Sequence, residues 1–164
     1  MKIKKQKAMP DMLQIKYIKN STNNWVTFTI TIFLQLGKSE GILTLIRGIP
    51  YSASHLNKVY IPINLLADHK VSSESIIRNN FDKEKMQTLV ESMAAVAEDH
   101  LSNARFRAKY LSKEEKLVLL PAITIDRFMT RLSRTKCNIF DPSLTSRDSL
   151  LSVSLYWNKI RSTY

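Results

Sequence analysis

The chain is poor in the residues that staple, break or activate a fold. Its 164 residues include one cysteine, Cys137. That excludes an internal disulfide and any multi-cysteine zinc or iron–sulfur site. Only three glycines and five prolines are present, which excludes collagen-like and loop-rich classes. No Gly-rich loop leads into a Lys-Ser/Thr pair and no GxGxxG occurs, so the common nucleotide-binding signatures are missing. His55, His69 and His100 have no His, Cys, Asp or Glu three or four residues further on. No two-ligand helix face for a metal arises from them. Carboxylates are the most informative shortage. Among 14 acids, no two are spaced three or four apart. A helix that holds Mg²⁺ and a diphosphate needs such a pair on one face.

Long apolar runs are missing too. Trp25 to Leu36 carries no charge, but Lys38 and Glu40 interrupt it after twelve residues. A membrane-spanning helix needs ~20. The run therefore reads as a buried helix or strand. Thr27, Thr29 and Thr31 favour a strand locally, whereas the rest of the chain argues for helix.

Positive charge is in excess: 25 basic residues against 14 acidic, a net +11. This suits nucleic acid, an anionic membrane or an acidic partner, without choosing among them. Residues 1–19 hold six lysines against Asp11 alone. They read either as a targeting segment or as a lysine tail. Neither Arg nor Ser occurs before Ser21, although mitochondrial segments are usually rich in both. Residues 126–164 hold seven basic residues against three acids. Arg127, Arg131 and Arg134 share a helix face there, which could grip phosphates or simply be solvated. No DNA- or RNA-binding motif accompanies them, and no nucleic acid is expected as a partner.

The apolar spacing predicts an all-α protein. Residues 82–110 form the strongest helix, with Met86, Leu89, Val90, Met93, Ala97, Leu101 and Ala104 on one face. Its alanines leave room for a close neighbour. Ser112 and Glu115 make a capping-box pattern. Pro121 kinks or restarts the helix that follows. Ser72 or Ser73 caps a short helix, and Pro62 opens another that runs to Ala67. Residues 39–47 read as a short apolar segment between Gly37 and Gly48, and residues 48–57 as a loop. Residues 58–61 read as extended ahead of Pro62. Asp141-Pro142 marks a turn, and residues 150–160 a closing helix with Tyr156 and Trp157. Cys137 reads as a small buried side chain, and His100 as structural.

Leu36 to Ser72 resembles a segment of the squalene/phytoene synthase superfamily. There a helix carries a Gly, then Leu-Arg-Asp, then a second Asp four residues later. A basic-Val/Ile-Tyr-Leu/Ile-Pro element follows. Here Gly37, Ile46-Arg47 and Lys58-Val59-Tyr60-Ile61-Pro62 correspond, but Gly48 and Ser52 stand at the two Asp positions. The resemblance is stronger to a non-enzymatic branch, the assembly factors of mitochondrial complex I. Its Lys-x-x-Gly-Ile, Arg-x-x-Pro-Tyr, Val-x-x-Pro and Phe-x-Pro-Ser-Leu elements correspond to Lys38–Ile42, Arg47–Tyr51, Val59–Pro62 and Phe140–Leu144. An aromatic final helix ending in Thr163-Tyr164 completes the series.

This resemblance covers residues 36–164 and implies a partial isoprenoid-synthase-like helical fold. Residues 1–35 read as an atypical basic segment, the product of truncation or of a different first exon. Half a fold would leave apolar helix faces uncovered. The resemblance also implies a non-catalytic assembly factor for respiratory chain complex I, with no cofactor and no metal. Expected partners are complex I subunits or assembly intermediates. The expected location is the matrix face of the mitochondrial inner membrane, held peripherally. Arg47, Gly48, Tyr51, Ser52 and Tyr60 are expected to mark a degenerate substrate pocket. The competing reading is a prenyltransferase acting on prenyl diphosphates with Mg²⁺, which needs the carboxylates that Gly48 and Ser52 lack.

Overall fold

A computed structural model describes residues 22–146 and 148–161. The basic stretch of residues 1–19 and Thr163-Tyr164 lie outside them. Among the described residues there are seven α-helices, one 3₁₀ helix and no strand. They are α1 (Thr22–His55), α2 (Ile63–Asp68), α3 (Ser73–Ile77) and α4 (Lys83–Ala108). The 3₁₀ helix Glu115–Leu119 then leads into α5 (Leu120–Arg134), α6 (Pro142–Thr145) and α7 (Leu151–Arg161). None of these helices is long and apolar enough to cross a membrane.

The core is the seam between α1 and α4. Ile32, Leu36, Leu43 and Ile46 of α1 are buried, as are Leu89, Val90, Met93, Ala97 and Leu101 of α4. The predicted face of α4 is buried at every named position, with Asp82 as its cap, accepting from Glu84 N at 3.0 Å. Ala95, by contrast, is exposed. His100 Nδ1 meets Gln35 Oε1 at 2.6 Å and ties the two helices across the seam. Near one end Trp25 stacks on Phe28 and donates its indole N–H to Glu115 Oε1 at 2.9 Å. Glu115 also completes the predicted capping box. Ser112 N donates to Glu115 Oε2 at 2.7 Å, and Glu115 N donates to Ser112 Oγ at 3.3 Å. The box opens the 3₁₀ helix, and Pro121 sits in the first turn of α5.

One open reading of the sequence is settled and two are corrected. The threonine-rich run is helical, because the hydroxyls find partners within the helix. Thr29 Oγ1 donates to Trp25 O at 3.0 Å and Thr31 Oγ1 to Thr27 O at 2.8 Å. Residues 48–55 are helix and not loop, so α1 runs unbroken through Gly37, Gly48 and Pro50. It also crosses positions 35 and 36 without interruption. Glycine costs about 1 kcal/mol in a helix and proline about 3. Burial of Ile46, Ile49 and Ala53 on one side outweighs both, at about 1.5–3 kcal/mol for each large side chain. Finally, Asp141-Pro142 opens a four-residue helix, with Asp141 accepting from Ser143 N at 2.8 Å.

The glycine shortage is resolved in an unusual way. All three glycines lie inside α1, and none has a positive φ. The helix ends that need a left-handed residue use other types. Lys70, Asn79 and Lys136 hold φ of 53°, 52° and 51° just past α2, α3 and α5. Each end is a Schellman motif. At α2, Lys70 N donates to Ala67 O and Val71 N to Leu66 O, both at 3.0 Å. Val71 and Leu66 are both buried.

α1 is apolar on more than one side. Its outer face exposes Val26, Ile30, Phe33, Leu34 and Leu45. Gly37, Gly41 and Gly48 have open space where a Cβ would stand. Gly48→Ala is therefore expected to stabilise by about 0.5–1 kcal/mol through helix propensity. Lys70→Gly is expected to add about 1 kcal/mol by relieving the left-handed conformation. Urea denaturation of the single variants measures both; a loss of stability in either would contradict this reading.

Candidate functional site

Three contiguous hollows lie where α1 and α5 meet residues 139–151. The widest, about 670 Å³, is open to solvent and lined by Asp126, Arg127, Arg131, Arg134, Ser146 and Asp148 among others. A second, of about 340 Å³, shares Arg127, Arg131 and Asp148 and is closed on the far side by Glu40 and Arg47 of α1. The third, about 160 Å³, is bounded by Arg47, Pro50, Tyr51, Phe128, Ile139 and Phe140.

The predicted pocket positions are only partly brought together. Arg47 and Tyr51, one turn apart on α1, both line the smallest hollow. The Arg47 guanidinium lies 4.5 Å above the Phe128 ring, a cation–π contact that joins α1 to α5. Tyr51 stacks on His55 with ring centroids 4.6 Å apart. Ser52 is buried, and its hydroxyl donates to Ile49 O at 3.2 Å. Gly48 faces open space. Tyr60 is exposed in the 58–60 connection.

The arginine trio of α5 also divides. Arg127 makes a two-pronged pair with Asp148, Nε to Oδ2 at 2.5 Å and Nη2 to Oδ1 at 2.7 Å. Arg131 donates from Nη2 to Ser143 O, to Ser146 O at 2.9 Å and to Ser146 Oγ at 3.1 Å. Arg134 is exposed. Two of the three thus tie residues 141–150 to α5. Across the helix, Arg105 grips Asp126 in the same two-pronged way. The sequence offers no signal for either ion pair. The partners are 21 residues apart in both cases, beyond any helical repeat.

The acids of these hollows do not suit Mg²⁺. Asp126 and Asp148 are each occupied by an arginine. Glu40 stands alone on its side of the second hollow, with Oε2 buried and without a hydrogen bond. The positions of Gly48 and Ser52 supply no carboxylate. Among the described residues, no three His, Cys, Asp or Glu side chains converge. Cys137, half-buried, has its thiol pKa raised by burial, so it is a poor nucleophile at neutral pH.

Arg127 holds the Asp148 carboxyl below the ordinary aspartate range, aided by the backbone N–H of Leu150. A depressed carboxylate contributes stability that is complete above its unfolded pKa, about 3.9. That contribution is lost as pH falls through the lower folded value. Asp148→Asn is expected to loosen residues 141–161 at neutral pH and to remove this acid-dependent step. Hydrogen exchange of the segment, followed from neutral pH down through about pH 5 to about pH 2, where the contribution is lost, measures it. Unchanged protection in the variant would contradict the bracing role.

Comparison with known proteins places the chain. The squalene/phytoene synthase family matches over residues 28–157. A human protein named NADH dehydrogenase (ubiquinone) complex I, assembly factor 6, is 33% identical over 129 residues. That stretch covers 79% of this chain and 38% of the human protein. Its Drosophila melanogaster homolog is 32% identical over 129 residues, again 79% of this chain and 38% of the relative. The Dictyostelium discoideum homolog is 36% identical over 125 residues, 76% of this chain and 35% of the relative. The chain therefore spans less than two fifths of the length of these curated relatives. No solved structure matches it. The helical architecture and the match over most of its length agree: the chain belongs to the squalene/phytoene synthase family.

Proposed function

We propose that this chain serves the assembly of respiratory complex I and carries out no catalysis. The observation that carries the reading is the state of the hollow's acids. The two helix positions that would present carboxylates are Gly48 and Ser52, and Asp126 and Asp148 are committed to arginines. A diphosphate–Mg²⁺ complex has no pair of free acids to hold it. The relatives named as complex I assembly factors support the same reading. Arg47, Gly48, Tyr51, Ser52 and Tyr60 are then the remains of a substrate pocket, turned to packing and to shaping the surface beside it. The partners are complex I subunits or assembly intermediates. The chain works in the mitochondrion, on the matrix face of the inner membrane, bound peripherally, and needs no cofactor. The family-like domain, expected from residue 36, reaches back in this reading at least to residue 28 within α1, and the basic extension is the stretch of residues 1–19.

Two measurements test the proposal together. Purified chain incubated with labelled prenyl diphosphate and Mg²⁺ is expected to form no product; any metal-dependent product would overturn it in favour of a prenyltransferase. Tagged chain recovered from mitochondria is expected to enrich complex I subunits over those of the other respiratory complexes. Equal recovery of all complexes would count against the assembly role.

A further inference from the structure

The last helix is built differently from the others. α7 has no buried residue. One side of it, formed by Leu151, Ser154, Leu155 and Asn158, is half-buried, and the helix packs on α5. The other side carries Val153, Tyr156, Trp157 and Ile160, and Leu150 precedes the helix, all between 53% and 67% exposed. The four helical positions fall within about a third of the helix circumference at 100° per residue. They form one continuous apolar strip with two aromatics in it.

The charges around the strip have one sign. From residue 149 to the end of the chain there is no acid, while Lys159 and Arg161 flank the strip. The Arg161 guanidinium lies 4.5 Å above the Trp157 ring, so a basic group sits directly over an exposed indole. Apolar and aromatic side chains on one face, with basic side chains at its edges, make a helix that lies in a lipid headgroup layer. Tyr and Trp favour that depth because one end of each ring is apolar and the other polar. The acid-free flanks are complementary to anionic headgroups, which attract basic residues near such a surface.

We infer that the outer face of α7 is a membrane-contact surface, which seats the strip Val153–Tyr156–Trp157–Ile160 among the headgroups of an anionic bilayer. This rests on the proposed peripheral residence and names the element that makes it. α5 holds the inner side of α7, and the Arg127–Asp148 pair fixes the segment that leads into it. The hollow beside α5 is thereby set close to the bilayer, open to partners that reside there.

Co-sedimentation of the full chain with vesicles tests this. The vesicles are phosphatidylcholine with about a quarter phosphatidylglycerol, compared with phosphatidylcholine alone. Binding to the anionic vesicles is expected, with a blue shift of Trp157 fluorescence that W157F abolishes. The double variant V153S/I160S is expected to weaken binding about tenfold or more. Both positions are exposed, so the fold does not depend on them. Equal binding by the double variant would overturn the inference and assign any membrane contact to another basic element. No binding, or a dimer in solution that V153S/I160S converts to monomer without vesicle binding, would overturn it as well. If complex I subunits still co-purify in those cases, the assembly role stands and only the assignment of α7 falls.

Discussion

The seam between α1 and α4 is the constraint from which the rest of the structure follows. α1 is 34 residues long, about 50 Å at 1.5 Å per residue. A helix of that length with three glycines, a proline and a threonine-rich start has little intrinsic reason to persist. It persists because one side is buried along its course, from Phe28 through Ile32, Leu36, Leu43 and Ile46 to Ala53. α4 supplies the complementary surface, with Ala97 and Ala104 fully buried so that the helices approach closely. The His100–Gln35 hydrogen bond adds direction to what is otherwise an apolar contact, and the Trp25–Glu115 bond ties the start of α1 to the 3₁₀ helix. With α1 fixed in this way, Glu40 and Arg47 are set opposite α5, and the hollow between them exists.

The polar chemistry of that hollow is directed inward. In a pocket made for a diphosphate, arginines and acids would be left open to ligand and metal. Here Arg127 pairs with Asp148 and Arg105 with Asp126, and Arg131 is turned to the carbonyls of Ser143 and Ser146. Arg47 lies on an aromatic ring. Arg127 and Arg131 instead brace residues 141–150 and, through them, α7, while Arg105 and Arg47 join α5 to α4 and to α1. Such bracing suits a protein whose task is to present a surface. The exposed strips of α1 and α7 are the apolar faces left on the outside among the described residues.

Much of this was legible in the sequence, and the exceptions have physical causes. The buried face of α4, the Ser112–Glu115 box, the Ser72 cap and the all-helical class follow from periodicity and capping chemistry, which are local. Gly48 and Pro50 misled because breaker residues report only local cost, whereas the burial of Ile46, Ile49 and Ala53 is a tertiary gain. The threonine-rich run stayed open between helix and strand because β-branching is visible in a sequence and hydroxyl bonds to the preceding turn are not. At the site, the missing carboxylates at Gly48 and Ser52 could be read directly. The arginine pairings could not, since each joins residues 21 apart on different elements. Lys70, Asn79 and Lys136 occupy left-handed positions that glycine usually marks, so those helix ends gave no glycine signal.

This fold is proposed to have exchanged catalysis for a part in building complex I. The most direct measurement is the complex I content of cells from which this chain alone has been removed, resolved on a native gel beside the other respiratory complexes. The account predicts that mature complex I falls, subassemblies accumulate and the other complexes stay at their normal level. It also predicts that restoring the chain, or its Gly48→Ala variant, brings complex I back. Normal complex I in cells without the chain would contradict the account.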